Sequence, residues 1–390
     1  MYAIRTSHKN SKCAVFSWMA LLMGISIGSL IPIFPTFVKS IMRTDFATSL
    51  FFAFIAFMTL VGGLASTMIF SKIKRTSVLK TGFIILAITY FSLIFVTHFV
   101  GLTVMSTIKT WFELFLAISL SLFVRDFANS ADLGQQEGLY YRSQNIGYFI
   151  GPLIGGFLGS RFNYESVFII ASGIMLIALM YFYHQHIVKK HPAIANRELK
   201  SGSLTDNVKN FFSNPNRVKA YLVTFSLVIW LAFRRIYIPL YVITSGYLEN
   251  MTGLILALGI IPFILLEEKV GEYLDKKGIK LPVSAGFLII AVSLILIFIN
   301  PYPLLNFVIL IVANVGAALI EPTQEYFLFK NLPKEEEDNL YGIYITASPI
   351  AAFTAPLIGA VALEILPFNA LFLIFGIIMM AIGWFFWKKL

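Results

Sequence analysis

Charge and cysteine are both scarce in this chain of 390 residues. It has one cysteine, five histidines, and only 13% Asp, Glu, Lys and Arg. A lone Cys13 excludes an intramolecular disulfide and any cysteine-based zinc site. His184, His186 and His191 cluster beside a hydrophobic segment, but no acid or cysteine stands at ligand spacing, so they read as interfacial histidines and no metal site is expected. No G-x-x-x-x-G-K-[ST] loop occurs, which leaves nothing to cradle the phosphates of ATP. No nucleophile, base and metal set can be assembled from the apolar segments, so neither enzymatic activity nor a cofactor is expected. What the chain has in excess is apolar surface. Hydrophobic residues make up 58% of it and the mean hydropathy is +0.81. Soluble domains run at about half apolar and about a quarter charged, so this composition belongs to a polytopic membrane protein in a lipid bilayer.

A helix needs about 20 apolar residues to cross the hydrocarbon core. That ruler predicts twelve spans: 13–38, 46–70, 78–97, 101–124, 139–159, 166–186, 219–243, 251–267, 282–299, 303–328, 340–364 and 368–387. The first run, Cys13 to Val38, is too long for the apolar core of a signal peptide and lacks a cleavage site, so it reads as a retained span. One polar stretch interrupts the series and divides the chain into 1–186, a linker at 187–217, and 218–390. Within that linker Leu204, Val208, Phe211 and Phe212 stand at helical spacing, which predicts an amphipathic helix on the membrane surface.

The net charge of +10 does not point to nucleic acid, because the 30 lysines and arginines follow the topology. With the N-terminus inside, the outer loops hold only Lys39, Arg43 and Arg161, and three more, Lys109, Arg234 and Arg235, fall within spans. The rest lie in inner segments, as the positive-inside rule requires. Both termini are expected in the cytoplasm, and the cell membrane is the expected location.

The densest run of small residues, Gly147-Tyr-Phe-Ile-Gly151-Pro152-Leu-Ile-Gly155-Gly156, recurs at Ala351–Ala360, where Pro152, Leu153, Ile154 and Gly155 become Pro356, Leu357, Ile358 and Gly359. At the same separation Pro35 meets Pro239, Lys72 meets Lys276, Gly82-Phe83 meets Gly286-Phe287, and Tyr140 meets Tyr344. A gapless register through several spans predicts a duplication. Each copy holds six spans, an even number, so the two repeats must be parallel, related by an axis along the membrane normal. The second copy of the small-residue run has lost most of its glycines, so the close helix packing expected of Gly147, Gly151, Pro152, Gly155 and Gly156 belongs to the first half.

Six plus six spans, a basic central linker and parallel halves resemble the major facilitator superfamily. Three motifs carry the resemblance. Gly271-Glu-Tyr-Leu-Asp275-Lys276-Lys277-Gly278-Ile-Lys280 is similar to the family's G-x-x-x-D-R/K-x-G-x-R/K loop. The Gly147–Gly156 run resembles the span-five motif of proton-coupled drug exporters, and Pro32-Ile-Phe-Pro35 resembles the P-x-x-P of twelve-span exporters. The resemblance implies a twelve-helix all-α fold, a monomer, a small-molecule substrate held near the midplane between the halves, and no cofactor. It also implies a cytoplasmic gate in which Gly271, Asp275, Lys276, Gly278 and Lys280 latch helix ends. The first-half loop is degraded, with Ser71 where the acid belongs, and Asp126 resembles the acidic partner there, facing Lys72 or Lys74. The alternative for these loops is a solvated segment under the positive-inside rule, which is also the expectation for Lys334–Asp338.

Charges inside a span are costly, about 2.5–3.5 kcal/mol each at a helix centre on insertion scales. They are therefore paired, hydrated, or functional. Lys109 and Glu113 are four residues apart and share a helix face; they form either a self-neutralising pair or part of a cavity wall. Span seven sets Trp230, Arg234, Tyr237 and Tyr241 on one stripe, an arrangement suited to an anionic or aromatic ligand, the alternative being a structural partnership between Arg234 and an acid on another helix. Asn314, Glu321 and Glu325 lie on one face of span ten, with Glu325 close to the interface, and Pro322 frees a backbone carbonyl one turn earlier. Desolvation favours the neutral form of a carboxyl group, and on that ground Glu113 and Glu321 are candidate proton carriers.

The leading expectation is a proton-coupled exporter of small amphipathic molecules. Its competitors are a proton-coupled importer of a metabolite or organic anion and a receptor or scaffold that keeps the fold without transport. The exporters that the chain resembles often carry an acid in span one, and this chain has none. The topology is directly testable, because Cys13→Ser removes the only native thiol. In that background a membrane-impermeant maleimide added to intact cells should label a cysteine placed at Arg161 and spare one at Lys276; the reverse pattern would invert the topology.

Overall fold

The structure is a computed structural model that describes residues 2–127, 133–185, 204–332 and 336–390. Among them every regular element is helical and no strand occurs. The first half comprises α1 (Tyr2–Leu30), α2 (Phe34–Met42), α3 (Asp45–Lys72), α4 (Arg75–Ser92), α5 (Phe99–Phe127), α6 (Leu133–Arg161) and α7 (Tyr164–His184). The second comprises α8 (Leu204–Ser213), α9 (Pro215–Thr244), α10 (Glu249–Leu258), α11 (Ile261–Lys277), α12 (Lys280–Ile299), α13 (Pro303–Ile320), α14 (Thr323–Lys330), α15 (Glu337–Tyr344), α16 (Ala347–Ile365) and α17 (Ala370–Lys389). The duplication is visible in where helices begin. α3 and α10 start at Asp45 and Glu249, and α5 and α13 at Phe99 and Pro303, which are repeat-equivalent positions.

Eleven segments of the described residues are long and apolar enough to cross a membrane. The twelfth expected span, 139–159, lies within α6, a single helix of 29 residues, about 43 Å long at 1.5 Å per residue. It falls short on apolarity for a physical reason. It carries Gln135, Gln136, Glu137 and Arg142 in its first turns, and its second half presents glycine where other spans present leucine.

The chain gathers into two compact units, and each takes a segment from the other half of the sequence. The first contains α1, α2, α3 from Met58, α4 to α7, and Val242–Ala257. The second contains Thr44–Phe57, α8, α9 up to Tyr241, and α11 to α17. The six-plus-six division of the sequence is thus a statement about chain order, while the compact bodies exchange the repeat-equivalent first turns of α3 and α10.

In the first unit the glycines of α6 receive two neighbours. A β-carbon on Gly147 would stand 2.5 Å from the Leu21 carbonyl oxygen, and one on Gly151 would stand 2.6 Å from that of Ile25. One on Gly155 would collide with the carbonyl of Ser29, and Gly24 on α1 returns the approach to within 2.6 Å of the Gln144 carbonyl. α1 and α6 therefore meet backbone to backbone. Gly156 lies about 100° further round the helix and faces α10, 2.6 Å from the Glu249 carbonyl and 3.0 Å from the Gly253 Cα by the same measure. Hydroxyl groups fasten the surrounding helices: Ser26 Oγ donates to the Ala171 carbonyl and Ser172 Oγ to that of Ala87, both at 2.8 Å.

The second unit uses the retained glycine differently. A β-carbon on Gly359, the counterpart of Gly155, would strike the phenol of Tyr237, which also donates to Ser49 Oγ at 2.9 Å. Ala351, Ala355 and Ala360 keep the rest of α16 small and buried. α8 forms as its spacing predicts, but Phe211 is buried with Ala220, Leu328, Leu332, Leu340, Ile343 and Tyr344, while Val208 and Phe212 stay exposed. The amphipathic helix thus docks on the ends of protein helices through Phe211. Arg217, almost fully buried, holds it there by donating to Asn210 Oδ1 at 3.2 Å, the Asn331 carbonyl at 3.4 Å and Glu336 Oε2 at 2.9 Å. Glu336 is therefore an ion-pair partner, which corrects the reading of Lys334–Asp338 as a merely solvated run; the pair forms because a buried guanidinium requires a counter-charge.

The glycine contacts set up a graded test. Gly155→Ala should destabilise the protein by about 1–3 kcal/mol or more, since main chain cannot yield to an added methyl. Gly138 and Gly342 lie on helices with nothing within 4 Å of a built β-carbon, and alanine there should be neutral or stabilising by about 0.5–1 kcal/mol. Thermal unfolding in detergent ranks the three.

Candidate substrate and proton sites

Among the described residues, each unit holds a cluster of charge within its apolar spans. In the first, Lys109 and Glu113 lie one turn apart on α5 and form an ion pair of 3.3 Å, with side chains 7% and 14% exposed. Tyr90 on α4 donates to Glu113 Oε1 at 2.7 Å, and the Lys109 ammonium lies 4.7 Å from the ring centroid of Phe34 on α2. Three helices converge on the pair. It is neutral overall, and the phenol would remain hydrogen-bonded to either protonation state of the carboxyl group.

In the second unit the centre is Arg234 on α9. Its Nη1 donates to Asn314 Oδ1 at 2.5 Å, and Asn314 is oriented for this because its Nδ2 donates to the Leu310 carbonyl at 2.9 Å. The guanidinium also lies 5.8 Å from the Phe263 ring, and the charge of Glu321 acts on it. About two turns further along, Asn306 Nδ2 donates to the Tyr241 hydroxyl at 2.7 Å. α9 and α13 are thus joined by two asparagine bridges. A guanidinium carries five N–H donors, and the half-buried Arg234 commits one of them to a hydrogen bond among the described residues. The remainder can meet a carboxylate or phosphate in a bidentate fashion.

The aromatic stripe of span seven separates from the arginine. Trp230 and Tyr237 are fully buried, and Tyr241 nearly so. Trp230 stacks on Phe233, Tyr237 packs against Phe233, Phe368 and Phe375, and Tyr241 against Phe307 and Phe372. Neighbouring phenylalanines claim the rings, whereas the longer side chain of Arg234 leans to α13. The Trp230 indole N–H is buried with no hydrogen-bond acceptor among the described residues.

Glu321 follows the last residue of α13, and Pro322 breaks the segment so that α14 starts afresh at Thr323. Glu325 is exposed and accepts from the Tyr341 hydroxyl at 2.8 Å. At the loops, Gly278 ends α11 with φ +78°, a conformation that favours glycine and lets α12 begin at Lys280. Asp275 and Lys276 are exposed and join no ion pair among the described residues. Gly271 has nothing near it that a β-carbon would meet. In the first half Asp126 pairs with Arg75, and not with Lys72 or Lys74 as expected, both of which are exposed. Arg75 opens α4 and can reach across to α5, whereas Lys72 ends α3. His184 is exposed; His186 and His191 lie outside the described residues.

Sequence reading missed Tyr90, Gly24, Gly28, Gly253 and Glu249. Only Gly24-x-x-x-Gly28 had a local signal. Glu249 opens α10 almost fully buried and accepts from the Tyr164 hydroxyl at 3.3 Å, a position that no spacing rule singles out.

Duplicated helical units with charges inside their apolar spans define a polytopic membrane protein. The chain belongs to the Major Facilitator Superfamily, whose family model matches residues 16–337 and 249–390. It is 21% identical over 343 residues to an uncharacterized MFS-type transporter of Methanocaldococcus jannaschii, covering 87% of this chain and 86% of that one. Among solved structures it resembles the nucleoside transporter NupG, with a TM-score of 0.76, 14% identity, and coverage of 97% and 99%. A POT family transporter in complex with a thioalcohol-conjugated peptide gives a TM-score of 0.76 at 13% identity, covering 96% and 94%. Identities this low establish the fold alone.

The Lys109 cluster allows a stability test. Lys109→Met leaves a buried carboxylate without its cation and should cost about 3–5 kcal/mol. Lys109→Met combined with Glu113→Leu and Tyr90→Phe removes the ion pair and the phenol hydrogen bond together and should recover most of that loss. Unfolding midpoints in detergent measure both; a triple variant as unstable as the single one would refute the pairing.

Proposed function

We propose that the chain is a secondary active transporter that exports a small amphipathic molecule bearing an anionic group, coupled to protons and working by alternating access. The observation that carries the reading is Arg234: a half-buried guanidinium within a span, held from one side by Asn314 and still rich in donors. A charge in that place is costly unless it serves a ligand or a partner, and a bidentate anion is the ligand that its geometry fits. Glu113 and Glu321 are the proton carriers of this proposal: Glu113 is paired with Lys109, and the charge of Glu321 acts on Arg234. Export is supported by the Gly147–Gly156 run, whose likeness to the exporter motif is joined by close packing of α6 on α1 and α10. The cell membrane, cytoplasmic termini, monomeric state and cytoplasmic latch at Asp275 and Lys276 belong to the same proposal.

The second reading, proton-coupled uptake of an anionic metabolite, rests on the same arginine, since a site for an anion does not fix direction. Inverted vesicles energised with a proton gradient separate the two. A panel of amphipathic anions should be taken up into them, which corresponds to efflux from cells, and Glu113→Gln or Glu321→Gln should abolish the gradient dependence. Arg234→Ala should weaken anionic substrates by about tenfold or more, equivalent to at least about 1.4 kcal/mol, and spare neutral ones. Accumulation of the anions by intact energised cells would favour uptake, and normal transport by both glutamine variants would place the proton elsewhere.

A further inference from the structure

Each unit carries the same small construction at the end of a helix pair. At the start of α4, the Lys80 ammonium lies 4.5 Å from the ring centroid of Tyr183 and 5.9 Å from that of Phe182, at the end of α7. At the start of α12, the Lys280 ammonium lies 5.2 Å from the ring of Trp387, at the end of α17. Tyr183 and Trp387 are repeat-equivalent, with exposures of 52% and 50%. The lysines are not equivalent: Ser284 occupies the counterpart of Lys80, and Thr76 that of Lys280. The two halves have therefore arrived at one arrangement from different positions, which simple inheritance from the duplicated ancestor does not explain.

Three properties say what the arrangement fits. Neither Lys80 nor Lys280 joins an ion pair among the described residues, and an ammonium over a ring keeps N–H donors free for an anion. Further cation lies at the end of α17: Lys388 is 3.9 Å from the exposed ring of Trp384, and Lys389 follows it in sequence. Finally, the same helix pairs carry exposed apolar side chains deeper along their length. Ile84 and Ile88 with Ile177 and Met180 run along α4 and α7, and Val292 and Leu296 with Ile377 along α12 and α17. A cation with aromatic support above two apolar helix edges has the outline of a phospholipid, and a free phosphate ion would leave the strips without an occupant.

We propose that these corners are two binding sites for anionic phospholipid, one on each unit, with the lipid phosphate on Lys80 or Lys280 and the acyl chains along the strips. Polybasic and interfacial aromatic groups retain anionic headgroups in this way when the charge is not neutralised by the protein itself.

The test is native mass spectrometry of the purified full-length protein from mixed micelles of phosphatidylglycerol and phosphatidylcholine with identical acyl chains. The wild type should retain phosphatidylglycerol over phosphatidylcholine, Lys80→Gln and Lys280→Gln should each lose one retained molecule, and the double variant should lose the preference. Lys80→Arg with Lys280→Arg should keep it, which guards against a loss caused by misfolding. Equal retention of both lipids, or unchanged phosphatidylglycerol on the double glutamine variant, would overturn the proposal. Displacement of phosphatidylglycerol by excess inorganic phosphate would overturn it in favour of a headgroup-independent anion site.

Discussion

In hydrocarbon, two helices gain nothing by hiding leucines from each other, because lipid tails are as apolar as the side chains. What holds α1 to α6 must therefore be direct contact between main chains, and direct contact requires that nothing stand between them. Gly147, Gly151 and Gly155 on one helix and Gly24 on the other meet that requirement, and Gly156 extends it to α10 on a second face. The first unit is organised around this constraint. It also explains why α6 is the least apolar of the expected spans: residues that give up their side chains to admit a neighbouring backbone contribute little hydropathy.

The same low dielectric governs the charges. Lys109 is answered within its own helix by Glu113, which in turn accepts from Tyr90 on the next, so the first unit carries a neutral cluster. Arg234 is answered mainly by a neutral amide, Asn314, with the charge of Glu321 acting on it. The two repeats have thus diverged in the completeness of compensation as well as in glycine content. A neutral cluster can retain or exchange a proton without leaving a net charge stranded, whereas a guanidinium with free donors is suited to hold an anion.

Much of the architecture was legible in the sequence because it depends on local, additive properties. Apolar length located the helices, and the spacing between Pro152 and Pro356 revealed the duplication that the starts of α3 and α10 repeat. Charge partners were legible only where they were four residues apart, as for Lys109 and Glu113. Asp126 finds Arg75, Arg217 finds Glu336 and Glu249 finds Tyr164 across long stretches of sequence, and nothing in the chain order encodes which of several nearby groups will be within reach. The packing of the aromatic stripe was not legible for a related reason: helical periodicity places residues on a face without stating which rings meet them, and Phe233, Phe372 and Phe375 do so here.

The sequence by itself determined that the protein is a duplicated bundle of membrane helices, because hydropathy, helix length and repeat register are properties of the chain alone. It also determined which residues bear charge inside the spans, and hence where chemistry could reside. Only the tertiary structure decided which of those charges are answered, which glycine admits a backbone and which a phenol, and which helix turns are exchanged between the compact units. These outcomes turn on distances of a few tenths of an ångström between elements far apart in the chain, and packing at that scale follows from the assembled whole.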